Sequence, residues 1–152
     1  MTPTSRASLT RFGLGVAMAA SILLSCAVPQ SQEINSVDAE TIRTWLDAAE
    51  EFRVLDVRSV AEFVFVGHPE GAVNVPLMFW DSETGMTSNE RFLEDVTARF
   101  DTDETIVVIC RSGGRSARAT RMLAEAGFTD VYDFADGFEG PFGEEGLRNV
   151  SG

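Results

Sequence analysis

The chain has 152 residues, 44% of them hydrophobic and 24% charged, enough for one domain with its own core and too few for two. Its 24 acids face 12 basic residues, all of them Arg; residues 1–26 hold two Arg and no acid, which leaves a net charge of −14 on the rest. So acidic a surface excludes nucleic acid and anionic lipid headgroups as partners, since both are held through positive charge, and its plainest role is solubility.

At the N-terminus, Arg6 and Arg11 precede an apolar run of thirteen residues, Phe12 to Leu24. This is the pattern of a secretory signal, and the run is too short to span a bilayer as a permanent helix. Residues 1–26 therefore read as a signal peptide. The run ends Leu23-Leu24-Ser25-Cys26, which resembles a bacterial lipobox and makes Cys26 a candidate lipid anchor; Ser25-Cys26-Ala27 also offers an ordinary cleavage site. Residues 27–33 read as a polar tether, and residues 34–152 as the folded domain. The mature chain is expected in the periplasm or cell envelope, touching the membrane only through such an anchor.

From residue 34 onward, short apolar runs alternate with amphipathic segments. Ile34 to Val37 is a weak strand, and Ser36 or Asp38 can cap a helix over Ala39 to Glu51 with Ile42, Trp45, Leu46 and Ala49 at helical spacing. Arg53 to Val57 is rich in β-formers. Ser59 to Val66 is a short helix closed by Gly67, and Ala72 to Val75 a brief strand stopped by Pro76. Asp81-Ser82-Glu83-Thr84-Gly85 reads as loop. Ser88 or Asn89 can then cap a helix to about Phe100, burying Phe92, Leu93, Val96 and Phe100. Thr105 to Ile109 is an unbroken apolar strand of the kind buried on both faces. A helix from about Arg115 to Ala126 ends at Gly127, where a left-handed residue is expected, and Val131 to Phe134 is the last strand. Strands separated by helices predict an α/β domain: a mostly parallel sheet of about five strands with helices on both faces.

Only Cys26 and Cys110 occur. There is no disulfide framework and no CxxC or Cys/His cluster, so neither metal nor cofactor is expected. With Cys26 acylated or removed, Cys110 is the one remaining thiol and has no intramolecular partner. It follows the most buried-looking strand and precedes a helix, the place where open parallel sheets bind ligands. Gly113 and Gly114 let the backbone curl so that amides point inward, and Arg111 and Arg115 add positive charge. Thiols so placed have pKa values lowered to about 3.5–7.5. A cysteine at a strand end is commonly an inert core residue; the conjunction of cations, paired glycines and helix start favours a reactive one. Arg118 and Arg121 continue at helical spacing as a solvated face.

The stretch Cys110-Arg111-Ser112-Gly113-Gly114-Arg115-Ser116 resembles the active-site loop of the rhodanese family. Two further blocks agree: Leu55-Asp56-Val57-Arg58 with Glu62-Phe63 and Gly67 to Pro76, and Gly127 to Val131 with Asp136-Gly137-Phe138. The resemblance implies a rhodanese-like fold and a sulfurtransferase in which Cys110 takes sulfane sulfur, typically from thiosulfate, becomes a persulfide and passes that sulfur on. The donor would be a small sulfur-bearing anion; the acceptor a thiol, a cyanide-like nucleophile or a protein. The backbone of Arg111, Ser112, Gly113, Gly114 and Arg115 would cradle the persulfide, with Arg115 stabilising the loop and bound anion. Asp56 and Arg58 would brace the loop, and His68 would be a structural turn residue. Phosphatases on the same scaffold need Cys-x5-Arg, whereas Cys110 to Arg115 is Cys-x4-Arg, a loop sized for one sulfur atom. The other reading is a catalytically silent interaction module in the cell envelope, although inactive members usually lose the Cys. Related domains also commonly continue past the position of Gly152 with Trp-Lys and Gly-Leu-Pro segments.

Overall fold

The computed structural model describes residues 34–140, all of them in one compact unit. Cys26, the signal segment, the tether and the tail from residue 141 lie outside the described residues.

Five strands form the main sheet: β1 (Asn35–Val37), β2 (Arg53–Asp56), β3 (Val73–Asn74), β6 (Ile106–Ile109) and β7 (Val131–Phe134). Their order is β1-β7-β6-β2-β3 and every pairing is parallel. The central strand β6 is buried along all four residues, as an unbroken Ile-Val-Val-Ile run requires in a sheet covered on both sides. Its side chains alternate between two cores. Ile106, Val108 and Cys110 pack with Phe92, Val96, Ala119 and Leu123; Val107 and Ile109 pack on the other side with Val37, Ile42 and Trp45. The α/β architecture expected from the sequence is therefore present, and Cys110 extends the inward face of the most buried strand.

Among the described residues four helices connect the strands: α1 (Ala39–Asp47), α2 (Val60–Phe65), α3 (Phe92–Thr97) and α4 (Gly114–Glu125). The cap of α1 is Asp38, which accepts the Thr41 N–H at 2.8 Å; Ser36 instead donates to the Asp133 carbonyl across the sheet. The expected helix to Glu51 stops at Asp47. Ala49 turns left-handed (φ 53°) and the Glu50 N–H reaches back to the Trp45 carbonyl, so the last apolar residues of the pattern form the exit turn. Helix α3 likewise ends before Phe100, whose N–H still bonds the Val96 carbonyl and whose ring is buried. Its start is shaped by Asn89, which accepts the Arg91 N–H and donates to the Pro76 carbonyl. Leu93 is only partly buried.

The segment read as loop around Asp81 holds an antiparallel hairpin, β4 (Met78–Asp81) and β5 (Gly85–Ser88). Asp81 closes it by accepting the Glu83 and Thr84 N–H groups and the Thr84 hydroxyl, and Gly85 supplies a positive φ. With one short strand on each side and exposed apolar residues, the hairpin lacks the buried alternation that signals a strand in sequence.

Candidate active site

Cys110 leaves β6 and is 1% exposed. The end of β2 lies beside it, the Val57 N–H donating to the Ile109 carbonyl at 3.0 Å. Its own carbonyl accepts the Phe138 N–H at 2.7 Å, and the Arg111 carbonyl accepts the Glu139 N–H at 3.1 Å, so residues 137–139 strap the loop in place. Gly137 makes that approach feasible: at φ +70° a Cβ there would sit 2.6 Å from the Arg111 oxygen and from Ser112 backbone atoms.

Beyond Cys110 the chain exposes Arg111 and Ser112, then turns left-handed at Gly113 (φ +86°), where a Cβ would lie 2.7 Å from the Ala135 carbonyl oxygen. Gly113 is the N-cap of α4, and among the described residues no side chain caps that end. The first-turn amides are therefore left for whatever negative atom the loop holds. The sulfur lies 3.3 Å from the hydroxyl of Ser116, which is fully buried and also donates to the Gly113 carbonyl at 3.0 Å. A thiolate at Cys110 would take the Ser116 proton as a hydrogen bond; a thiol would donate to the same oxygen.

Arg115 turns away from solvent to grip Glu62 with two bonds, 2.8 and 2.6 Å. Glu62 also accepts the Ser59 N–H and hydroxyl, completing the capping box of α2. The Arg115 guanidinium holds the Glu62 carboxyl well down, to about 2. Conversely, Glu62 first, with Cys110 and Asp56 adding, favours the charged form of Arg115. These bonds tie Arg115 to the start of α2 and commit two of its nitrogens to Glu62.

Asp56 and Arg58 form an ion pair at 2.6 Å with both side chains 0% exposed. Arg58 also donates to the Gly67 carbonyl and lies over the Phe138 ring, 4.2 Å from its centroid. The two residues reach the loop through Phe138, whose N–H holds the Cys110 carbonyl. His68 stacks on Phe63 at 3.6 Å between centroids and its Nδ1 lies 2.9 Å from the Phe63 carbonyl, anchoring the turn after α2. Arg118 and Arg121 are exposed, as a solvated face should be. Among the described residues no cluster of three metal-ligating side chains occurs.

Sequence reasoning assigns no role to Glu62, Ser116, Gly137 or Phe138. The Ser59-x-x-Glu62 spacing marks a capping box, but nothing local ties that carboxylate to Arg115, 53 positions away.

The family model described as Rhodanese-like domain matches residues 38–141. Thiosulfate sulfurtransferase 16, chloroplastic, of Arabidopsis thaliana is 48% identical over 86 residues, covering 57% of this chain and 70% of that protein. Thiosulfate sulfurtransferase 18 of the same plant is 36% identical over 111 residues, covering 72% and 79%. Two further relatives are longer, and the chain spans 46% and 47% of their length. Among solved structures, Rv0390 from M. tuberculosis superimposes with a TM-score of 0.63 at 32% identity, covering 78% of this chain and 91% of that one.

Proposed function

The chain belongs to the rhodanese-like domain family, and on that premise we propose that it is a sulfurtransferase that carries sulfane sulfur on Cys110. One observation carries the reading: a buried thiol lies 3.3 Å from the hydroxyl of Ser116 in the first turn of α4, a helix start that no side chain caps among the described residues. In the first half-reaction the Cys110 thiolate attacks the outer sulfur of thiosulfate, the S–S bond breaks, and sulfite leaves with its electron pair. The new persulfide anion sits where the first-turn amides and the Ser116 hydroxyl can hold it. In the second half-reaction a nucleophilic acceptor takes the outer sulfur and Cys110 departs as thiolate. No general base is required once the thiolate exists.

Arg111, exposed at the entrance, would draw an anionic donor inward, and Arg115 with Glu62 would fix the loop. Asp56 and Arg58 would hold it from behind through Phe138. Relatives named thiosulfate sulfurtransferase support this donor class. The sequence of residues 1–26 supports export, with Cys26 as the lipid-bearing residue; acylation of the full chain, lost in Cys26→Ser, is the result that bears on it.

Intact-mass measurement after thiosulfate exposure tests the catalytic reading. Wild type should gain one sulfur and release sulfite, and Cys110→Ser should gain none. A folded wild type that never gains sulfur would leave an interaction module as the better account.

A further inference from the structure

Two large apolar side chains beside the reactive loop are not explained by folding. Trp80 and Met86 face each other across the hairpin, and alternation along β4 puts Met78 on the same side. Met78 packs against the core, but Trp80 and Met86 belong to neither core cluster and are 70% and 39% exposed. These three side chains form one wall of an open cleft of 590 Å³. The facing wall is the start of α2 with Glu62, together with Arg111 and Arg115 of the Cys110 loop. The size lies in the range of small-molecule sites, and the composition is that of one, mostly apolar with a few charged groups. Among the described strands β4 and β5 pair with each other and with no strand of the main sheet, so the main sheet does not require this face to be apolar.

We propose that this cleft is the acceptor subsite, and that it selects organic thiols whose sulfur is carried on an apolar body several carbons long. The inference rests on the persulfide reading of Cys110. Arg111 lines the mouth, its side chain 52% exposed and its Nε 4.0 Å from a Glu139 carboxylate oxygen, a distance too long for a hydrogen bond, and it meets the negative sulfur of the incoming thiolate. The body then lies along Trp80 and Met86, which lose water as it binds. The thiolate attacks the outer sulfur of the Cys110 persulfide, the S–S bond breaks, Cys110 leaves as thiolate, and the acceptor departs as a persulfide. Cyanide or a short polar thiol would gain nothing from the wall.

The test uses full-length protein loaded from thiosulfate, freed of excess donor, with the persulfide verified by intact mass. Single-turnover discharge is then followed with mercaptopropionate and mercaptohexanoate, which share a thiol and a carboxylate and differ only in chain length. A methylene fully withdrawn from water is worth about fourfold and one laid on an open wall about twofold. The longer acceptor should therefore react about tenfold faster in wild type. Trp80→Ala and Met86→Ala should each flatten that ratio, and Phe79→Ser, on the opposite hairpin face, should keep it. A wild-type ratio near one, a ratio retained in Trp80→Ala, or a ratio lost equally in Phe79→Ser overturns the subsite while leaving Cys110 as sulfur carrier. A folded chain that never loads sulfur overturns both readings.

Discussion

Arg115 and Glu62 are joined by two hydrogen bonds of 2.6 and 2.8 Å, and the same carboxylate caps α2 through Ser59. One side chain therefore couples the helix that borders the cleft to the loop that carries the thiol. A carboxyl held at about 2, against 4.5 when unperturbed, favours the native state wherever it is ionised. Its contribution is complete above about pH 4.5 and is lost as pH falls toward 2. For a pair with partial solvent access it amounts to roughly 1–2 kcal/mol. Glu62→Gln should cost about that much in urea unfolding at pH 7, and the difference from wild type should shrink between pH 4.5 and 2. A pH-independent difference would mean that packing, not charge, is the contribution of Glu62.

The Asp56–Arg58 pair lies deeper and should behave differently. Both side chains are fully buried, and Arg58 Nε and Nη2 make three bonds of 2.6–3.0 Å to one carboxylate. Arg58→Met strands a buried charge, with an expected loss of about 3–5 kcal/mol, a large part of a small domain's stability. The double replacement Asp56→Leu with Arg58→Met should recover at least half of that loss, because no charge remains to desolvate. Denaturant midpoints of the two singles and the double decide the matter. Strictly additive losses would show that the two residues act independently.

The parts legible in the sequence were those with strong local signals. The four buried residues of β6, the left-handed Gly127 after α4 and the strand Val131–Phe134 all follow from composition and spacing. Cys110 with Gly113 and Gly114 was legible for the same reason: a strand, a curl and a helix start are consecutive. What escaped depends on residues brought together from afar. The hairpin exposes Phe79, Trp80 and Met86 and so carries no buried alternation. The strap formed by Gly137 and Phe138 works through backbone atoms of residues more than twenty positions earlier, and residue types do not encode such a contact.

Gly137 turns that strap into a prediction. A Cβ at this position would meet the Arg111 oxygen and the Ser112 backbone at 2.6 Å, and backbone cannot swing aside as a flexible side chain can. Gly137→Ala must lift residues 137–139 or displace the loop, and either move disturbs the Phe138 N–H bond to the Cys110 carbonyl. Sulfur loading from thiosulfate should fall by about tenfold or more, the equivalent of about 1.4 kcal/mol in the barrier. Gly71→Ala is the control: its φ is +75° beside +70° for Gly137, but no atom of the described residues lies within 4 Å of the added carbon. It should cost about 1–3 kcal/mol of stability from backbone strain and leave loading intact. Equal loading in both variants would remove Gly137 from any role at the loop.

Asp133 supplies the opposite pH signature from Glu62. It is 5% exposed on β7, and its Oδ1 has no hydrogen-bond partner among the described residues. Burial pushes its carboxyl above the usual carboxylate range, while a hydrogen bond with Ser116 pulls the other way more weakly. A raised carboxyl contributes stability that is full below its unfolded value of 3.8 and is lost as pH rises through the folded value. At pH 7 the native state therefore carries an under-solvated charge, and Asp133→Asn should stabilise the fold by on the order of 1 kcal/mol. The gain should fade as pH falls through the raised folded value and be gone below the unfolded value of 3.8. Thermal unfolding of both proteins across that range is the measurement. The carboxylate, the Gly113 carbonyl and the Cys110 sulfur all border the one Ser116 hydroxyl, which has a single proton to give. If Asp133→Asn instead proves less stable than wild type at pH 7, the buried carboxylate is satisfied by a partner and is not a cost to the fold.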